Sequence, residues 1–316
     1  NSKGVAERQE MYYATDYATD PVYRKLVGKN MIGVPVEQKQ FYGDSLRGHT
    51  KTLYRDWFGD SSYVLPEFVR LRTRTMDTLS TELVYTQYDN RGNPLAVGRQ
   101  PDQTAIYLWD SVYRLPVCEV KYALVSQVAY AGLANNNTFG NWSYTSGSLS
   151  GSGGFTGDYT FSGVLTKTVP SGSYLVQLWS KAVSVPQVNG TNGVLKRTVR
   201  EWKLYQWQLS NPGVVTVSGS ELDDIRLYPS GALMQTYTYI PLIGMSSATD
   251  ARNNAVYYEY DGDARLTIIR NADNHVIRKI NYAYRSYGVS SAVWRSTGNL
   301  RCKPCPANAA YSINMQ

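Results

Sequence analysis

Apolar and polar positions alternate with a period of two over residues 31–36, 50–57, 68–75 and 82–88, and again over 256–260, 267–270 and 276–284. Successive side chains of a strand point to opposite faces, so this spacing predicts strands with one buried face. At Tyr88-Asp89-Asn90-Arg91-Gly92-Asn93-Pro94-Leu95 a strand ending in an aromatic residue enters a turn whose Asn and Gly accept positive φ, and a second strand leaves towards Val97. That is the pattern of a β-hairpin. It returns at Tyr260-Asp261-Gly262-Asp263-Ala264-Arg265-Leu266, so the chain carries an internal repeat with other material between the copies.

The intervening stretch has a different texture. Residues 145–157 are almost wholly Gly, Ser and Thr and read as a loop without regular structure. Strands are then expected at 159–165, 174–181, 202–209, 214–217 and 225–228, a spacing that predicts a β-sandwich. The resulting division is a first β-sheet region over 1–117, an inserted sandwich over 118–233, a second β-sheet region over 234–301, and a linker over 302–316 that leads into a further region.

Composition agrees with an all-β fold. Tyrosine (27 residues) outnumbers phenylalanine (6) and tryptophan (7) together, and 26 Gly with 13 Pro supply the turns. Two histidines, His49 and His275, and three cysteines leave little from which to build a zinc site or a His-based triad. No cofactor or metal is expected. The net charge of +7 is spread along the chain, and Arg70, Arg72 and Arg74 alternate as the solvated face of an edge strand would. Nucleic acid is therefore not expected as a partner. No apolar run is long enough to span a membrane as a helix. A start at Asn1-Ser2-Lys3, without an initiator methionine, reads as a piece of something longer.

The motifs Tyr88-Asp89-x-x-Gly92-x-x-Leu95 and Tyr260-Asp261-x-x-Ala264-Arg265-Leu266 resemble the YD repeat of the Rhs and teneurin families. The run from Tyr237 through Thr249-Asp250 to Asp261, and Tyr107-Leu108-Trp109 with Leu115-Pro116-Val117, resemble the closing segment of large YD-repeat proteins exported by Gram-negative bacteria of the type IX secretion group. The resemblance implies tandem hairpins wound into a sheet, a secreted or cell-surface location associated with the outer membrane, and contact with the export machinery or with other segments of the same protein. Ala264 departs from the repeat, which has glycine there. Within the insert, Gly140-Asn141-Trp142, Thr156-Gly157-Asp158-Tyr159 and Asp223-Asp224-Ile225-Arg226 resemble jelly-roll carbohydrate-binding modules, which implies cell-surface glycans as partners.

Sugar faces stack on flat rings, and Trp202, Tyr205 and Trp207 are the candidates for such a platform. Strand alternation puts Tyr205 and Trp207 on one face and Trp202 on the other, so one set belongs to the core. Trp142 and Trp179 are expected in the core. Asp223-Asp224 occupies a position that resembles a structural calcium site, but the family's partner glutamate is missing and turn capping is expected instead. Asp89 and Asp261 are read as turn residues, and no carboxylate pair marks a glycosidase, so no catalysis is expected. In an exported protein Cys302 and Cys305 are expected to form a local disulfide, while Cys118 is expected to be a buried apolar residue. Ser45, Thr78 and Ser111 sit in Asp-Ser/Thr-apolar triplets that resemble the O-glycosylation signal of that bacterial group.

The sequence reading is thus a non-catalytic, structural and adhesive segment with glycan binding. Its alternatives are part of a toxin-encapsulating shell, or a secretion substrate bound to outer-membrane machinery.

Overall fold

In the computed structural model the chain is almost entirely antiparallel β-sheet. The structure describes residues 4, 6–59, 63–75, 78–99, 104–110, 112, 114–133, 140–151, 153–283 and 312–315. Eight strands come first: β1 (Glu7–Tyr13), β2 (Pro35–Tyr42), β3 (Ser45–Asp56), β4 (Val64–Arg72), β5 (Ser80–Tyr88), β6 (Pro94–Gly98), β7 (Thr104–Trp109) and β8 (Pro116–Lys121). They pair in chain order. The chain then leaves to build a lobe from β9 (Ala129–Ala131), β10 (Ser143–Ser150), β11 (Thr160–Thr168), β12 (Ser173–Ser180), β13 (Gln187–Val188), β14 (Thr191–Asn192), β15 (Val194–Val199), β16 (Trp202–Ser210) and β17 (Val214–Pro229). It returns as β18 (Leu233–Ile240), followed by β19 (Gly244–Thr249), β20 (Ala255–Tyr260), β21 (Leu266–Asn271), β22 (Val276–Ala283) and β23 (Ser312–Met315).

The returning strand does not start a new sheet. β18 lies against β8, with Lys121 opposite Leu233 and Cys118 opposite Thr236, so one 14-stranded sheet runs across the insertion. Register partners share a face, as do residues two apart on a strand. Phe68, Val84, Gly98 and Thr104 therefore lie in one row, and Ile106, Val120 and Met234 continue the same face.

The lobe covers the later half of that face. The inner rows of its sandwich bury Phe161, Leu165, Val176, Leu178, Val217 and Leu227. β17 is 16 residues long and serves both layers: its first part pairs with β11 and its second with β12. Positive φ at Glu221 (49°) and Asp224 (49°) marks the bend between them. A second apolar cluster joins Ile106, Cys118, Val120 and Met234 of the sheet to Tyr130 and Tyr228 of the lobe. A third joins Ala255 and Ala272 to Phe155, Trp179, Trp202 and Leu204. The lobe is thus seated on the sheet.

Several local expectations change. Residues 145–150, part of the stretch read as loop, lie in the exposed edge strand β10, because small polar side chains suffice where only the backbone is paired. A helix, α1 (Pro21–Gly28), was not legible as a period in so short a segment. Asp20 caps it by accepting from Val22 N at 2.8 Å, Pro21 opens it, and Tyr23 and Leu26 bury its inner face beside Val36 and Val64. Residues 31–34 are not strand; β2 begins at Pro35. β4 is not an edge strand either, since β3 and β5 flank it, so edge protection does not explain Arg70 and Arg72.

Candidate functional site

Two built features stand out: the rim of the sheet and the seat of the lobe. At the rim, Asp89 accepts from the backbone N–H of Arg91 (2.9 Å) and Asn93 (2.8 Å), while Gly92 takes φ 82°. Asp261 does the same with Asp263 and Arg265 N (both 3.0 Å), and Ala264 takes φ 59°. The Arg265 guanidinium adds a bond to Asp261 at 2.8 Å. Against the desolvation that opposes it, these donors hold the Asp261 carboxyl below its ordinary range. Leu95 and Leu266 stand at the start of the outgoing strands.

Two further turns, one of them the turn at 271–274 that the sequence also reads, have the same construction. Asp250 accepts from Arg252 and Asn254 N (both 2.8 Å) with Asn253 at φ 62°, and Asn271 accepts from His275 N (2.9 Å) with Asn274 at φ 70°. What they share is an Asx whose side chain accepts from the N–H groups two or four residues on, with a positive-φ residue three positions on. That spacing, not the tyrosine-aspartate pair, is the signal that finds the turn at Asp250.

Aromatic side chains stitch one edge of the turns. Tyr88 Oη donates to the Pro66 carbonyl (2.8 Å), Trp109 Nε1 to Pro94 (2.8 Å), Tyr260 Oη to Met245 (2.8 Å) and Tyr282 Oη to Leu266 (2.9 Å). Each reaches from the end of one strand to the carbonyl near the start of the preceding one. Tyr239 makes the same bond to Pro116 (2.8 Å), although 123 residues separate the two in sequence. The stitch therefore continues unchanged across the insertion.

At the seat, Arg226 and Asp224 form an ion pair at 2.8 Å with both side chains fully buried. Arg226 also donates to Thr236 Oγ1 (2.7 Å) and to the Asp250 carbonyl (3.2 Å), so one lobe residue grips a sheet strand and a rim turn. Desolvation opposes the Arg226 charge, but Asp224 beside it holds its pKa above the ordinary value. Asp223 accepts from Thr156 N (2.9 Å) and Asp224 N (2.7 Å). Burial, with the Asp224 charge next to it, pushes Asp223 up to about 7 despite those donors. The pair thus fixes a loop and an interdomain bridge from inside a strand, and is not the turn cap expected. Among the described residues, no cluster of three or more His, Cys, Asp or Glu side chains is placed to hold a metal ion.

The three aromatic candidates are buried. Tyr205 and Trp207 face the sandwich core, where Trp207 Nε1 donates to the Thr191 carbonyl at 2.8 Å. Trp202, on the opposite face, packs with Phe155 and Trp179 against the sheet. Alternation along β16 holds, but the lobe's inner layer has apolar neighbours on both sides, so none of the three rings offers a face for stacking. Trp142 and Cys118 are buried as well. Ser45 and Thr78 are exposed; Ser111, Cys302 and Cys305 lie outside the described residues.

No protein-family model matches the chain, and no curated protein matches it. Among solved structures, it is similar to a complex of TcdB2, TccC3 and Cdc42, with 11% identity over 83% of this chain and 12% of that one and a TM-score of 0.21. A TcdB2–TccC3 complex gives 13% identity, 83% and 14% coverage and a TM-score of 0.20. A Photorhabdus luminescens Tc holotoxin pore gives 13%, 79% and 14%, with a TM-score of 0.15. The chain spans about an eighth of the length of these structures.

Proposed function

We propose that this chain is a non-catalytic wall segment of a large exported YD-repeat protein, in which a continuous stitched sheet holds a rigid lobe for adhesion at the cell surface. The observation that carries the reading is the β8–β18 seam: strands on either side of the insertion pair directly, and Tyr239 bridges them as neighbouring hairpins are bridged. A lobe set into an unbroken sheet, bound to it by two apolar clusters and a buried ion pair, transmits load without hinging. The reading extends the YD-repeat resemblance of the turns; outer-membrane association and export partners belong to that same proposal.

Hydrogen exchange on the intact chain tests it. Amides of Cys118, Val120, Met234 and Thr236 are expected to exchange with the slowest class in the lobe. Seam amides exchanging like loops beneath a protected sandwich would mean two modules on a string and would defeat the scaffold reading. A glycan array of the same chain tests adhesion; retention of no glycan leaves the lobe a spacer.

A further inference from the structure

The uncovered half of the sheet face carries a grid of charge. Across β1 to β4 one row reads Glu10, Lys39, His49, Arg72, and the next reads Tyr12, Glu37, Lys51, Arg70, each residue opposite the one before it. Strands lie about 4.8 Å apart, so each row extends roughly 14 Å across the sheet. Four permanent cations and His49 stand among two carboxylates.

Glu37 is the organiser. It is only 6% exposed and accepts from Lys39 Nζ (2.9 Å), His49 Nε2 (2.9 Å), Lys51 Nζ (3.0 Å) and the Tyr17 hydroxyl. An ammonium has three donors, and each lysine spends one on Glu37. Lys39 also lies over the Tyr12 ring and Lys51 over Tyr17, which fixes both stems. Arg70 leans over Phe68, and its Nε is buried without a hydrogen-bond partner. Cations held in place in one row, two of them lysines with donors to spare, are what an anionic ligand would satisfy.

We propose that this face binds an acidic polysaccharide lying across the strands, its carboxylate or sulfate groups meeting Lys39, Lys51, Arg70 and Arg72. The flat face and the regular spacing of about 5 Å between strands suit an extended chain with recurring charge. Nucleic acid fits less well, because the nearby rings of Tyr12, Tyr17 and Phe68 already carry cations and leave no free platform for bases. The surface is distinct from the lobe and its seat, so the scaffold reading stands or falls separately by hydrogen exchange.

The test titrates the full chain with labelled heparin, polygalacturonate, neutral dextran and a single-stranded DNA, at low and moderate salt. Heparin or polygalacturonate should bind, weakening steeply with salt, and dextran should not. R70Q/R72Q should weaken binding about tenfold or more, R70K/R72K should retain it within about threefold, and K196Q, which removes a charge from the exposed lobe edge, should leave it unchanged. Should the double variant not fold, R70Q and R72Q singly should each cost about threefold. No polyanion binding, binding insensitive to Arg70 and Arg72, or DNA bound as tightly as the polysaccharides would overturn the proposal.

Discussion

Two buried carboxylates, one on the long sheet and one in the lobe, behave in opposite ways. Glu37, in the uncovered half, is surrounded by a tyrosine, a histidine and two lysines, and although desolvation acts against it, Tyr17, Lys39 and Lys51 hold it down at about 2. Asp223, on β17 of the lobe, is buried too but has Asp224 for a neighbour, and burial with that charge pushes it up to about 7. Burial alone does not set the sign; the neighbours do. The uncovered half is stabilised by charge compensation among half-buried side chains, the covered half by two apolar clusters around a small ionic core.

The largest effect is expected where that core is broken. Arg226→Met strands Asp224 beside Asp223 without a counter-charge and should destabilise the chain by about 3–5 kcal/mol in urea unfolding. Arg226→Met with Asp224→Leu should recover much of the loss, because replacing both partners by apolar groups removes the desolvation cost. If the double variant is no better than the single, the two residues do not form one unit.

The pH dependence of stability separates the two carboxylates by sign. Glu37 is depressed from 4.5 to about 2, so its contribution is complete above pH 4.5 and disappears as pH falls towards 2. At roughly 1.4 kcal/mol per unit this is about 3 kcal/mol, and Glu37→Gln should flatten that acid limb. Asp223 is raised, so the folded state holds the extra proton between pH 3.8 and about 7. Stability should therefore fall by roughly 4 kcal/mol as pH rises through that window, and Asp223→Asn should abolish the fall whatever its effect on absolute stability. An Asp223→Asn profile parallel to wild type would refute the assignment.

A smaller effect probes the seam. Tyr239→Phe removes the bond to the Pro116 carbonyl and should cost about 1 kcal/mol, much as Tyr260→Phe costs within an ordinary hairpin. Equal losses, measured as shifts in unfolding midpoint, would show that the insertion leaves the sheet energetically continuous.

The strands and the tyrosine-aspartate turns were legible because alternation and Asx-turn chemistry are local. The seating of the lobe was not, since one strand's alternation shows two faces without saying what covers them. Trp202, Tyr205 and Trp207 illustrate this: their opposed faces followed from spacing, but burial of both depended on a sheet assembled from residues far away in the chain. The same limit applies to Arg70 and Arg72, which read as edge residues until β5 was found beside them. Asp224 and Arg226, two apart on one strand, carried no sequence sign that they would meet Thr236 and Asp250 across the seat.

The smallest prediction compares two copies of one turn. Gly92 and Ala264 occupy the same position three residues after the Asx, both at positive φ, yet only glycine adopts that region without its Cβ meeting the following carbonyl. Ala264→Gly should therefore stabilise the chain by about 1 kcal/mol, since relief of strain exceeds the added freedom of the unfolded chain. Gly92→Ala should lose at least as much, because a Cβ there would lie 3.1 Å from the Tyr63 ring in addition to the backbone penalty. Opposite shifts in unfolding midpoint from these mirror-image substitutions would show that the turns obey one rule on both sides of the lobe. A destabilising Ala264→Gly would mean that the second copy has adapted its neighbours to alanine.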